Sequence, residues 1–95
     1  MKDTKELEQR LLDLRKKIEL VDKEISILFE KRMDLAQEIG AIKQELKMDV
    51  FDKDREDYLF KKNIENISNQ DIKEYYTRLL RCMLELSKEY QKKGR

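Results

Sequence analysis

The chain of 95 residues is nearly balanced in charge, with 22 Lys and Arg against 21 Asp and Glu and a formal net charge of +1. This balance argues against a nucleic-acid-binding domain, and no apolar stretch suffices for a membrane span or a signal peptide. One cysteine and no histidine exclude a disulfide framework, a zinc site and a histidine-based catalytic triad, and they suit a reducing cytosol.

Turn-forming residues are scarce, which predicts helices rather than strands. The chain has no proline and only two glycines, Gly40 and Gly94, and clusters of turn-forming residues occur only near residues 47–52 and 66–71. We therefore expect an all-α fold, a single domain over residues 1–95, with helices at about 4–47, about 52–66 and about 69–92.

The first predicted helix carries a heptad-like apolar seam. Such a helix measures roughly 60 Å, whereas a compact monomer of this length has a radius of gyration of about 12 Å. We therefore expect an intertwined homodimer, in which two long helices run antiparallel and the short helices of each chain cover the seam of the other. The seam residues recur in steps of mostly four and three: Leu7, Leu11, Leu14, Ile18, Val21, Ile25, Leu28, Leu35, Ile39, Ile42 and Leu46.

Charged residues interrupt this seam and the stripe beside it. Arg32 stands where the heptad expects an apolar residue, and Arg15, Asp22 and Lys43 lie among apolar residues of the neighbouring stripe. Charges on a buried face cost free energy unless they are paired or bind a ligand. Either the stripe is partly exposed and forms surface ion pairs, or it binds a ligand. Gly40 costs a helix about 1 kcal/mol relative to Ala, so it fits a close contact or leaves space for a ligand.

The second predicted helix begins with acidic residues. Asp52 is the expected N-cap, and Glu56 projects from the same first turn. By itself this pattern is ordinary helix capping. The residues expected to form its buried side are Leu59, Phe60, Ile64 and Ile67.

The third predicted helix begins at a capping box formed by Ser68 and Asp71. Ser87 and Gln91, four residues apart, share one edge of its apolar stripe. Polar residues in such a place more often belong to the rim of a core than to a site. The residues of the predicted stripe are Ile72, Tyr76, Leu79, Leu80, Met83, Leu86 and Tyr90.

Taken together, the polar positions resemble those of the all-helical (type II) class of chorismate mutases, from about Leu11 to Gln91. That resemblance implies a cytoplasmic homodimer of three helices per chain, with two active sites and no cofactor or metal. It also implies conversion of chorismate to prephenate in phenylalanine and tyrosine biosynthesis. The motifs that carry it are Leu14-Arg15-x-x-Ile18, Val21-Asp22, Arg32-x-x-Leu35-Ala36-x-x-Ile39-Gly40-x-x-Lys43 and Asp52-x-x-Arg55-Glu56.

The resemblance implies that two arginines bind the substrate's carboxylates: Arg32, and Arg15 reaching in from the partner chain. It implies that Lys43 and Gln91 donate hydrogen bonds to the ether oxygen, and that Ser87 contacts a carboxylate. We therefore expect Lys43, Gln91 and Arg32 to be the catalytic residues.

The start of the second helix completes the implied site. Asp52 and Glu56 correspond to residues around the substrate hydroxyl, and Arg55 adds positive charge. Helix geometry agrees with a site shared between chains, because Arg15 and Arg32 are seventeen residues apart, or about 25 Å along one helix. An antiparallel partner brings its own Arg15 toward Arg32.

The implied reaction is an intramolecular rearrangement that needs no proton transfer and no nucleophile, so a chain without histidine can catalyse it. It requires a dianion held in its reactive conformer and donors aimed at the oxygen where negative charge grows. Guanidinium groups suit the first task, since they bind carboxylates in two places.

Two other functions fit parts of the pattern. A dimeric helical interaction module fits the composition and the heptads, but it does not explain Arg32 in a seam. A related pericyclic enzyme resembling the isochorismate-pyruvate lyases shares the scaffold, although Asp52-x-x-Arg55-Glu56 and Ser87 look more like the mutases. The sequence leaves open whether the chain acts alone or in complex with another shikimate-pathway enzyme. We expect no feedback site for phenylalanine or tyrosine within it.

Overall fold

The computed structural model describes residues 3–93. Within that range the chain forms three α-helices, α1 (Thr4–Glu45), α2 (Lys53–Glu65) and α3 (Lys73–Lys93), with a 3-10 helix at Gln70–Ile72 before α3. No strand occurs in this part of the chain. The predicted all-α fold with one very long helix is confirmed. Among the described residues, no helix has an apolar stretch sufficient for a membrane span.

The chain divides into two units, Met1–Arg32 and Met33–Arg95. The first contains the N-terminal part of α1, which Asp3 caps: its backbone carbonyl accepts the amide of Leu7 at 3.1 Å. Every described residue before Arg32 is exposed, including the apolar seam, where Leu14 is 43% and Leu28 63% exposed. This segment alone therefore leaves its seam without a covering surface.

The second unit contains the C-terminal part of α1 together with α2, the 3-10 helix and α3. Its core is small. The buried apolar side chains are Ala36, Val50, Leu80 and Leu84, and Gly40 is buried beside them. The predicted apolar side of α2 is half-buried throughout.

The core of α3 differs in part from the predicted stripe. Ile72, Leu79 and Leu86 are exposed, whereas Leu84, which the prediction omitted, is buried at 6% exposure. The apolar period identified a broad stripe, but the single chain buries only the edge of it that faces the rest of the second unit. The exposed residues have no covering surface within the described chain.

The start of α3 also differs from prediction. The cap is Asn69 rather than Ser68: its side chain accepts the amide of Asp71 at 3.0 Å and begins the 3-10 helix, so α3 proper begins at Lys73 instead of about residue 69. The predicted N-cap of α2 is correct, because Asp52 has extended backbone angles and accepts the amide of Arg55 at 3.1 Å.

The C-terminus of α1 is closed by a cap that uses a lysine where glycine is usual. The amide of Met48 donates to the carbonyl of Lys43 at 2.8 Å, and the amide of Lys47 donates to that of Gln44 at 3.1 Å. This paired arrangement requires a left-handed residue between helix and loop, and Lys47 adopts a φ of 58°. It ends α1 at Glu45, slightly before the predicted boundary.

Replacing Lys47 by glycine tests the strain in this cap. A residue with a Cβ atom pays roughly 1–2 kcal/mol of strain in the left-handed region. Glycine avoids this strain but loses about 0.5–1 kcal/mol more conformational entropy on folding, which offsets part of the gain. We expect Lys47→Gly to raise the free energy of unfolding by about 0.5–1 kcal/mol, measured by urea denaturation at one fixed protein concentration. Lys47→Ala keeps the Cβ atom and should give no gain. A Lys47→Gly protein less stable than the wild type contradicts the left-handed conformation of Lys47.

Candidate functional site

The second unit brings together predicted site residues from three helices. Lys43 lies on the last turns of α1, Asp52 and Glu56 begin α2, and Ser87 and Gln91 lie on the C-terminal half of α3. Lys43 is half-buried, as are Asp52 and Glu56, while Ser87 and Gln91 are buried at 7% and 9% exposure.

Gly40 allows α1 and α3 to touch where Gln91 lies. A Cβ atom built at Gly40 would stand 2.9 Å from both the Cα and the Cβ atoms of Gln91. The close-contact interpretation of this glycine is therefore correct. The contact fixes the backbone of Gln91 against α1, one helical turn from Lys43.

The side-chain amide of Gln91 is buried and only half paired. Its Nε2 donates to the hydroxyl of Ser87 at 3.3 Å, while Oε1 has no hydrogen-bond partner among the described residues. A buried polar atom left unpaired costs about 1–3 kcal/mol. Turning the amide over exchanges its ends, so that Ser87 becomes the donor and Nε2 occupies the unpaired position. Either way, one end of this buried amide has no hydrogen-bond partner among the described residues.

Lys43 is held by the loop that follows α1. Its ammonium donates to the backbone carbonyl of Val50 at 2.9 Å, and Val50 is almost fully buried at 3% exposure. An ammonium carries three N–H donors, so one bond to Val50 orients the group and leaves two donors for a ligand. A backbone acceptor of this kind has no signature in the sequence.

In the first turns of α2, Asp52 caps the helix and Glu56 presents a carboxylate to α3. The carboxylate of Asp52 caps the helix, so the ordinary capping interpretation holds for it. Glu56 extends toward α3, where one of its oxygens lies 3.0 Å from the ammonium of Lys88. Arg55 is exposed, with its guanidinium 5.4 Å from the centre of the Tyr58 ring.

The structure does not bring Arg15 and Arg32 together. Both lie in the first unit, seventeen residues apart on one helix, which is about 25 Å along its axis. Arg15 is exposed and Arg32 half-buried. Within residues 3–93 neither arginine forms an ion pair, and Asp22 and Lys43 form none either. The expectation that the stripe is partly exposed is therefore confirmed for the single chain, but the surface ion pairs expected with it do not form among the described residues.

Sequence reasoning missed Lys88. This residue follows Ser87 on α3 and contacts two carboxylates, those of Glu56 at 3.0 Å and Glu85 at 2.7 Å. Its hydrogen bond to Glu85, supported by that to Glu56, raises the pKa of Lys88 above the ordinary lysine value against the opposing effect of burial. The sequence contained one signal for Lys88: it directly follows Ser87 on the polar edge that also carries Gln91, and the predicted first turn of α2 offers acidic partners.

One comparison with known proteins identifies a family. A family model described as chorismate mutase type II matches residues 14–92, a range that includes every predicted site residue. No curated protein and no solved structure gave a significant match.

Gly40→Ala tests the contact that positions Gln91. Helix propensity alone would make this variant about 1 kcal/mol more stable. Overpacking against backbone, which side-chain rotation cannot relieve, costs about 1–3 kcal/mol, so we expect the free energy of unfolding to fall. The measurement is urea unfolding, with Gln37→Ala, an exposed neighbour on α1, as the matched control. A stabilised Gly40→Ala protein contradicts the close contact.

Proposed function

This chain belongs to the chorismate mutase type II family, an isomerase family, and we propose that it converts chorismate to prephenate by conformational restriction and electrostatic stabilisation. The family match confirms the resemblance found in the sequence and the predicted enzyme class. The observation that carries the mechanistic proposal is the buried, half-paired amide of Gln91 beside Ser87. The backbone of Gln91 lies against Gly40, which is one helical turn before Lys43 on α1.

Lys43 and Gln91 are proposed to stabilise the breaking C–O bond. Negative charge grows on the ether oxygen as that bond breaks, and preorganised donors lower the barrier because they need no reorientation during the reaction. Val50 fixes the ammonium of Lys43, and Gly40 fixes the backbone of Gln91. With the amide turned so that Ser87 donates to Oε1, the Nε2 of Gln91 becomes the second donor.

Arg32 and Arg15 are proposed to bind the two carboxylates of chorismate. Guanidinium groups suit this task because they form paired hydrogen bonds with a carboxylate. Neither arginine forms an ion pair within the described chain, so both are available to an anion. Holding both carboxylates selects the compact conformer in which the carbon atoms that bond are close, which lowers the entropic part of the barrier.

We propose an intertwined antiparallel homodimer, with Arg15 reaching the site of the partner chain. Two observations support it. Exposed apolar seam residues run along the first unit, including Ile18, Val21 and Ile25 at 53–59% exposure, and burying them in a partner would stabilise the assembly by about 25 cal/mol per Å². The separation of Arg15 from Arg32 also prevents both from binding one small dianion within a single chain.

Asp52, Glu56 and Arg55 are proposed to surround the ring hydroxyl of the substrate. The fixed first turn of α2 places the Glu56 carboxylate toward α3, where it can accept a hydrogen bond from an alcohol. Arg55, exposed in the chain, adds positive charge near a dianion.

We propose a role in phenylalanine and tyrosine biosynthesis, because prephenate, the proposed product, leads to both amino acids, and we infer a cytoplasmic location. The free thiol of Cys82 is exposed, which suits a reducing compartment. Another shikimate-pathway enzyme is a candidate partner, since domains of this family are often fused to such enzymes.

Lys43→Ala tests the proposed chemistry. Removing a donor to the developing oxyanion commonly lowers the rate by about 10²–10³-fold, and we expect a loss of this size in kcat. The measurement is the decrease of chorismate's ultraviolet absorbance, with prephenate identified as the product. The matched control is Lys31→Ala, which removes an exposed cation from the same helix and should leave kcat unchanged. An unchanged kcat in Lys43→Ala contradicts its role.

Faster turnover of isochorismate than of chorismate by the wild-type protein contradicts the proposed substrate.

A further inference from the structure

Lys88 links three parts of the second unit. Its ammonium lies 3.0 Å from Oε2 of Glu56 on α2 and 2.7 Å from Oε1 of Glu85 on its own helix. It also lies 4.8 Å from the centre of the Phe51 ring, in the loop that follows α1. A single cation therefore contacts the loop, the first turn of α2 and the helix that carries Ser87.

The two ion pairs of Lys88 differ in burial. The side chains of Lys88 and Glu56 are 17% and 20% exposed, whereas that of Glu85 is 64% exposed. A pair within one helix whose carboxylate is exposed to water is screened and contributes little, but removing one member of a pair shielded from water leaves the other charge uncompensated. The pair with Glu56 is thus the one that constrains the structure.

The contacts of Lys88 fall on both sides of Asp52. Phe51 directly precedes Asp52, and Glu56 is one helical turn after it. Since Val50, which precedes Phe51, accepts the hydrogen bond of Lys43, the loop held by Lys88 also carries the anchor of the proposed ether-oxygen donor. The ammonium of Lys88 can make both contacts at once, because it forms a charge-assisted hydrogen bond with a carboxylate and a cation–π interaction with a ring face.

We propose that Lys88 is a positioning residue that orients the Glu56 carboxylate toward the substrate hydroxyl and holds the loop carrying Val50 and Asp52. Lys88 occupies Oε2 of Glu56 and leaves Oε1 to accept from an alcohol. This inference rests on the proposed function, because it assigns Glu56 to the substrate hydroxyl. Lys88 does not touch the substrate in this account; it acts through Glu56 and Phe51.

A double-mutant cycle tests whether Lys88 acts through Glu56. Steady-state kinetics with chorismate are measured for Lys88→Met, Glu56→Gln and the double variant. We expect Lys88→Met to lower kcat/KM by about tenfold, and we expect it to add nothing once Glu56 is neutral, because coupled residues are non-additive. Lys88→Arg should recover most of the activity, since a guanidinium also pairs with carboxylates and stacks on rings.

Glu85→Gln is the matched control, because it removes the exposed partner of Lys88 and leaves the pair with Glu56; its kinetics should equal those of the wild type. Losses that add in the double variant, or an unchanged kcat/KM in Lys88→Met, overturn the role of Lys88. If Lys88→Met does not fold, Lys88→Gln takes its place in the cycle. A wild-type protein inactive toward chorismate overturns the proposed function itself, so the two failures are distinguishable.

Discussion

In the second unit, α3 lies against α1 at a position where no side chain fits between them. Gly40 provides that space, and the Cα atom of Gln91 fills it. Ala36, one turn earlier on the same face of α1, is also buried. The absence of a side chain at Gly40 thus allows the close contact, and Gln91, buried at 9% exposure, lies at it. The polar arrangement of the candidate site depends on this contact between backbones.

The fold could be predicted from the sequence because its signals are local. The scarcity of glycine and proline excluded strands, and the apolar period identified the helices. Asp52 could be predicted as a cap because its side chain serves the helix that it begins. The left-handed Lys47 and the cap at Asn69 could not, since neither residue carries the usual signal for its conformation.

The candidate site could be predicted only in part. Matching polar motifs named its residues, but their partners depend on packing between elements distant in sequence. The carbonyl of Val50 that holds Lys43 belongs to the backbone and leaves no trace in the sequence. Lys88 had no motif to mark it, and the role that we propose for it depends on its contacts with Glu56 and Phe51, which only the folded chain reveals. Burial on α3 was mispredicted because periodicity gives the width of a stripe and not the edge that packs.

The proposed dimer would account for both the exposed seam and the unpaired arginines. An apolar stripe without a cover and guanidinium groups without carboxylates each leave a single chain incomplete. In the dimer that we propose, an antiparallel second copy would cover the stripe and supply Arg15 to the site of which Arg32 is a proposed member. The dianionic substrate would then provide the charges that the arginines lack. Rearrangement of such a substrate needs only binding and directed donors, which a chain without histidine can provide.

The most direct test of this account mixes two inactive variants. Arg15→Ala and Arg32→Ala chains are unfolded together, refolded as a mixture, and assayed for loss of chorismate. If each site takes Arg32 from one chain and Arg15 from the other, every mixed dimer contains one intact site. Random assortment then restores about a quarter of wild-type activity, while each variant refolded alone stays inactive. A mixture as inactive as its components would contradict a site shared between chains.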